Sequence, residues 1–119
     1  MTTVAEAAFE LESALKLVPD ARVYRDQGAN IEPRAIVIGP PVLAWESDGR
    51  RGPTSARFLV YAIVAADDRA AERLWEFVEV VADTIDMHTD AAVTQADPAV
   101  YVSGTSQLPC YEIQTEVPL

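Results

Sequence analysis

Residues 57–87, RFLVYAIVAADDRAAERLWEFVEVVADTIDM, join the two most strongly patterned segments of the chain. In residues 57–65 apolar side chains occupy both alternating faces, and this pattern predicts a strand at the centre of a sheet. From residue 67 to about residue 87 the apolar residues recur every three or four positions, which predicts an amphipathic helix. Its apolar stripe comprises Ala70, Leu74, Val78, Val81 and Ile85, and its acidic stripe comprises Glu72, Glu76, Glu79, Asp83 and Asp86.

The segments on either side contain one further helix and several strands. Residues 4–18 predict a helix, and Thr3 with Glu6 matches the capping-box pattern at its start. The expected strands are residues 21–25, 35–38, 42–46, 91–94, 100–103 and 108–117, with turns at 47–56 and 96–98. Strands grouped before and after one long helix indicate an α+β fold. We therefore expect a single domain over residues 1–119, with two helices packed on an antiparallel or mixed sheet of about four to six strands.

The composition disfavours several classes of partner. Nineteen acidic residues against nine basic ones give the 119 residues a net charge of −10 and a pI near 4.3. Such a surface repels nucleic-acid phosphates and anionic membranes. The short apolar runs predict no membrane span, and residues 1–10 lack the basic start of a secretory signal. The single cysteine, Cys110, excludes an internal disulfide and is typical of a reducing compartment.

The sequence predicts no catalytic, cofactor or metal site. It contains neither a phosphate-binding glycine loop nor a nucleophile elbow, and it has one histidine, His88. The GRRG turn at 49–52 is interpreted as a solvated hairpin tip rather than an anion site, and Cys110 as an inert, half-buried thiol. We expect Trp75 to pack in the core because it flanks the apolar stripe, and Trp45 to meet a partner because it precedes a polar turn.

The order of short segments carries a family resemblance that covers nearly the whole chain. These segments are LVPD at 17–20, RVY at 22–24, IVIGPP at 36–41, GRRG at 49–52, RFLVY at 57–61, AADD at 65–68, LWEFV at 74–78, ADP at 96–98 and LPCYEI at 108–113. In pattern and length the chain resembles the tail terminator proteins of long non-contractile-tailed phages, in particular those of actinobacteria.

The resemblance implies a structural role in the virion, without catalysis or cofactor. Members of this family are α+β subunits that form a hexameric ring on the last ring of the tail tube. The ring stops polymerisation of the tail tube protein and provides the surface that joins the filled head through neck proteins. DNA would pass through the lumen without specific binding, and the protein would be found in the tail-neck region, after assembly in the host cytoplasm.

A ring needs two different patches on each subunit, and the sequence offers two of opposite charge. We expect the acidic stripe of the long helix to meet an arginine-bearing hairpin on the next subunit. The candidate interface residues are Trp45, Arg50, Arg51, Arg57, Glu72, Glu76, Glu79 and Asp83.

Three other interpretations stay open on the sequence. The first is a head-closure or connector subunit of the same kind of virion. The second is a small cytoplasmic binding module that uses the turns at 39–41 and 49–52 and has a concave pocket. The third, an enzyme, is disfavoured, because no set of nucleophile, base or metal ligands is visible in the sequence.

Overall fold

A computed structural model of the chain describes residues 2–25, 30–46 and 52–119. The elements are α1 (Val4–Leu15), β1 (Arg22–Tyr24), β2 (Ala35–Ile38), β3 (Val42–Ala44), β4 (Ser55–Ile63), α2 (Ala70–His88), β5 (Ala92–Ser103) and β6 (Ser106–Pro118). The six strands form one mixed sheet, and both helices pack on one of its faces. The predicted α+β class is confirmed.

The strand order is β1-β2-β4-β6-β5, and β3 also pairs with β4. Within this sheet β1 and β2 are parallel, whereas the other pairs are antiparallel. β2 and β3 follow one another along the same edge of β4, with Ala35 opposite Ile63 and Ala44 opposite Ser55. The predicted central position of the 57–65 segment is confirmed, because β4 has neighbours on both of its edges.

Helix α1 begins as predicted but ends earlier. Thr3 Oγ1 accepts the backbone N–H of Glu6 at 3.1 Å, and the same hydroxyl donates to the Glu6 carboxylate at 3.1 Å. The helix stops at Leu15 rather than residue 18, because the N–H groups of Leu17 and Val18 bond to carbonyls only three residues back. This tightening of the last turn is common at helix ends.

The sheet is apolar on both faces, and each face carries its own cluster. Under the helices, Leu11, Leu15, Phe77, Val81 and Ile85 pack on sheet residues that include Phe58, Val60 and Ile113. On the opposite face a smaller cluster comprises Ile31, Ala35, Val37, Tyr61, Ile63, Tyr101, Leu108 and Cys110. The segment near Ile31 crosses this second face, where its backbone N–H donates to the buried Ser103 hydroxyl at 2.9 Å. Both faces of β4 are therefore buried, as its sequence predicts.

The prediction of two short strands separated by a turn at 96–98 is wrong. β5 is one continuous strand, which pairs with β6 from Ala92 to Ser103 and has a register shift between Val93 and Gln95. Pro98 is tolerated because β5 is at the edge of the sheet, where a missing N–H breaks no ladder with a further strand. The long partner strand therefore overrides the turn tendency of the Ala-Asp-Pro sequence.

The β5–β6 hairpin projects beyond the rest of the sheet. The β4 ladder reaches only Cys110, whereas β6 continues to Ser106 before the turn at Gly104. On this arm Val100 and Val102 are exposed, at 62% and 58%. The projection makes the molecule long, at 52 × 29 × 21 Å, and its radius of gyration is 14.5 Å. A compact chain of this length has a radius of about 13.5 Å.

Candidate subunit interface and pocket

The structure brings the four predicted carboxylates together on the outer face of α2. At 100° per residue, Glu72, Glu76, Glu79 and Asp83 fall within a narrow sector of the helix, opposite the buried Leu74. All four are exposed. Their side chains form a single negative stripe, which we call the acidic stripe, on the outside of the helical layer.

The predicted basic patch lies on the opposite face of the sheet, and the structure describes part of it. Arg57 is exposed on β4 directly opposite the exposed Val42 of β3, so both side chains project from the face that carries no helix. Trp45 follows the end of β3 and is 59% exposed. Arg50 and Arg51 lie outside the described residues. The described basic patch thus consists of Arg57 with Val42 beside it, and the exposed Trp45 lies at the same end of the β3–β4 pair.

The acidic stripe and the basic patch belong to different layers of the molecule. The stripe faces away from the sheet on the helical side, and Arg57 projects from the opposite face of the same sheet. Neither Arg57 nor a stripe carboxylate belongs to an ion pair within the described part of the chain. Both patches are therefore available for contacts outside the subunit.

The expectation that Trp75 packs in the core is wrong. Trp75 is 58% exposed, and Phe77 is the aromatic residue that α2 buries, at 1% exposure. Leu74, Phe77, Val81 and Ile85 follow each other at spacings of three, four and four, so they share the stripe that faces the sheet. The sequence contained this signal, but choosing Val78 as the stripe member rotated the predicted face away from Phe77 and toward Trp75.

A pocket that the sequence did not predict lies beside α2. It has a volume of about 390 Å³ and lies between the start of β2, the residues after β4 and one side of α2. Its lining includes Arg34, Val64, Arg73, Glu76, Phe77 and Val80. Glu76 also belongs to the acidic stripe, so the pocket opens next to that surface. A sequence signal does exist: Arg34 is a lone cation placed directly before the fully buried strand β2.

The two arginines of this pocket have different surroundings. Arg73 is engaged, because its guanidinium pairs with the Asp67 carboxylate and donates to the Ala65 carbonyl at 3.4 Å. The Arg34 guanidinium carbon stands 4.2 Å above the centre of the Phe77 ring, in cation–π geometry. Its Nε is shielded from solvent and has no hydrogen-bond acceptor in the part of the chain that the structure describes. Arg34 is therefore a partly buried cation with an N–H that the described residues leave unsatisfied.

Cys110 is unsuited to nucleophilic chemistry. Burial raises the pKa of its thiol to about 11, and the negative charge of Glu112 adds to the increase. Since the thiolate is the reactive form, the thiol stays protonated near neutral pH. Cys110 is 1% exposed, so it is more deeply buried than the half-buried thiol the sequence suggested.

Two searches of the described residues give negative results. No group of three or more His, Cys, Asp or Glu side chains is placed to hold a metal ion within residues 2–25, 30–46 and 52–119. Within the same ranges, neither helix has both the length and the apolar character needed to cross a membrane.

No family model matches the chain, and no curated protein matches it.

Proposed function

We propose that this chain is a tail terminator: a phage structural subunit that forms a ring on the end of the tail tube. The ring stops further addition of tail tube protein and presents a surface to the neck proteins of the filled head. It is a homohexamer in this proposal, and the phage DNA passes through it without specific binding. The protein then resides in the tail-neck region of the virion, after assembly in the host cytoplasm.

The observation that carries the proposal is the separation of two unlike surfaces on one subunit. A closed ring repeats one heterologous contact, so each subunit needs a donor patch and a different acceptor patch. The acidic stripe is on the helical layer, whereas Arg57 is on the other face of the sheet. Two copies can therefore bring opposite charges together while each keeps its other patch free for the next copy. Complementary charges also favour the correct register over a like-charge contact.

The net negative charge of the chain suits a ring whose central channel DNA passes through. With nineteen acidic and nine basic residues, the ring repels phosphates wherever its lining is not locally basic. A repelled strand slides without making lasting contacts, which is what head-to-tail transfer of DNA requires.

The direct test is electron microscopy of negatively stained tails assembled with and without this protein. We expect tubes of irregular and excessive length in its absence, because nothing then ends polymerisation. Tails of normal length that fail to join heads would instead assign the protein to head closure, which is the alternative from the same virion. Normal, head-joined tails in its absence would contradict both assignments.

The charge contact is tested separately with Arg50→Glu combined with Arg51→Glu. This pair reverses two charges of the predicted hairpin tip, and we expect a folded subunit that no longer caps tails. The matched control is Arg22→Glu with Arg25→Glu, which changes the net charge equally and breaks an exposed ion pair with Glu32 and a half-buried one with Glu12, so its thermal unfolding is measured beside its capping. Equal loss of capping by both pairs would show that net charge, rather than this contact, is responsible.

A further inference from the structure

We propose that the Arg34 pocket of one subunit receives Trp45 and Glu46 from the next copy of the chain. In this contact the Glu46 carboxylate pairs with the Arg34 guanidinium, and the Trp45 ring covers the apolar lining. The inference rests on the proposed function in one respect, which is that copies of the chain assemble with each other. The inference adds the identity of the residues that join one copy to the next.

The state of Arg34 calls for an acceptor. An arginine side chain stays charged at all physiological pH values and carries five N–H donors in a planar fork. Here one face of the fork is covered by the Phe77 ring, and the Nε–H is hidden from water without an acceptor in the described ranges. Water cannot reach the shielded Nε, so an incoming carboxylate would pair with the terminal N–H groups of the fork, which it matches in geometry and charge.

The rest of the pocket favours an apolar group beside that carboxylate. Val64, Phe77 and Val80 contribute hydrocarbon surface, and Arg73 is held by Asp67. Three adjacent pairs in the described residues combine an exposed aromatic ring with an exposed carboxylate: Phe9 with Glu10, Trp45 with Glu46, and Trp75 with Glu76. Glu76 itself lines the pocket, and of the other two pairs we choose Trp45 with Glu46 because it lies at the end of β4 that carries Arg57. Aromatic anchors inserted in pockets are typical centres of protein interfaces. The chemistry of the donor therefore matches the pocket in both of its parts.

The register of the sheet makes this contact one between two subunits. Arg34 directly precedes Ala35, which pairs with Ile63 at one end of β4, and Trp45 directly follows Ala44, which pairs with Ser55 at the other end. Eight steps along β4 at about 3.4 Å each place these ends about 27 Å apart. Donor and pocket therefore cannot meet within one subunit. Two copies could make this contact reciprocally in a two-fold dimer or head-to-tail, and the proposed ring uses the head-to-tail form, which propagates and closes where the rotation permits.

The contact surfaces also agree with the charge pairing proposed above. Arg57 lies at the same end of β4 as Trp45, and Glu76 belongs both to the pocket and to the acidic stripe. When Trp45 enters the pocket, the basic patch of one subunit thus approaches the acidic stripe of the next. One interface then satisfies both the buried arginine and the exposed charges.

Cysteine cross-linking tests the predicted neighbours. A subunit that carries both Ala44→Cys and Val80→Cys keeps Trp45 and Glu46, and with a short bismaleimide it should give a ladder of oligomers, in solution or on purified tails. A mixture of the two single variants should stop at dimers. Phe9→Cys with Val80→Cys is the matched control, because Phe9 is also exposed, on α1, but is outside the proposed contact, and it should give no ladder. The buried Cys110 leaves the native protein unlabelled.

Charge exchange tests the ion pair itself. We expect Arg34→Glu or Glu46→Arg alone to weaken self-association about tenfold or more, and the double exchange to restore much of it. Glu46→Gln should weaken association without affecting the fold, since Glu46 is exposed, and Arg22→Gln serves as the neutral control. Thermal unfolding of each variant separates lost contact from lost stability.

The outcomes separate this inference from the proposed function. If the variant with Ala44→Cys and Val80→Cys gives no ladder either in solution or on tails, the contact is overturned, and normal tail capping by Arg34→Glu overturns it as well. Capping that persists under those conditions leaves the terminator assignment intact. Conversely, a ladder together with normal tails in the absence of the protein supports the contact and refutes the assignment.

Discussion

Replacing Thr115 by valine should stabilise the protein. Thr115 lies on β6 between Phe58 of β4 and Val93 of β5, and its side chain is fully buried under the helices. Its Oγ1 has no hydrogen-bond partner in the described part of the chain. The hydroxyl therefore lost its hydration on folding without gaining a replacement bond from these residues. Valine has nearly the same shape and puts a methyl group where this hydroxyl stands.

The expected gain follows from the cost of the unpaired hydroxyl. A buried polar group without a partner costs about 1–3 kcal/mol, and an added buried methyl group contributes about 0.8 kcal/mol. Allowing for imperfect fit, we expect Thr115→Val to raise the free energy of unfolding by about 1–2 kcal/mol. At about 2.1 cal/mol/K per residue, the unfolding entropy of 119 residues is about 250 cal/mol/K. The gain then corresponds to a rise in Tm of about 4–8 °C by calorimetry or circular dichroism.

Thr89→Val is the matched control, because the same substitution there removes a satisfied hydroxyl. Thr89 donates to the Ile85 carbonyl at 2.7 Å and accepts the N–H of Ala91 at 3.1 Å, at the end of α2. Loss of the Thr89 hydroxyl should lower the free energy of unfolding by about 1 kcal/mol. The reasoning is refuted if Thr115→Val leaves Tm unchanged or lowers it, or if both variants shift Tm in the same direction.

Two further predictions concern titration and capping. Folding raises the pKa of Cys110 from 9.0 to about 11, so the unfolded thiol ionises first as the pH rises. The contribution of Cys110 to the free energy of unfolding is therefore fully present below pH 9 and is lost as the pH rises toward 11. For Cys110→Ala, urea unfolding should show a weaker decline of the free energy of unfolding over that pH range. A decline equal to that of the unchanged protein would mean that other groups cause it. Thr3→Ala should cost about 1 kcal/mol by removing the cap on the Glu6 N–H, whereas Thr3→Ser should retain most of it; equal unfolding midpoints for both variants would contradict this role of the hydroxyl.

The periodicity of the sequence predicted the elements that depend on local patterns. The β2 segment 35–38 is a strand with the predicted bounds, and residues 57–65 overlap the central strand β4. Thr3 caps α1 as its spacing to Glu6 indicates. In these places the spacing of apolar residues and the chemistry of the cap decide the backbone conformation. Residues close in sequence are therefore sufficient to predict it.

The errors occur where distant residues decide the outcome. β5 runs through Ala96-Asp97-Pro98 because β6 offers a continuous partner, and the bonds of that ladder outweigh a local turn tendency. Trp75 is exposed and Phe77 is buried because the position of the sheet selects which sector of α2 faces inward. The pairing of β5 is not visible in a window of ten residues, whereas the spacing of Leu74, Phe77, Val81 and Ile85 is visible and only the sheet decides between it and the stripe through Val78.

By itself, the sequence determined the α+β class, the acidic surface and the grouping of four carboxylates on one helix face, because helical and strand periods are local properties of the chain. The tertiary structure alone decided that Arg34 stands over Phe77 with its Nε unpaired among the described residues, and that Trp45 and the pocket occupy opposite ends of β4. The physical reason is that pairing register and burial are set by contacts between residues far apart in sequence. The surroundings of Arg34 are set by Phe77 of α2, whose ring covers the guanidinium only in the folded chain.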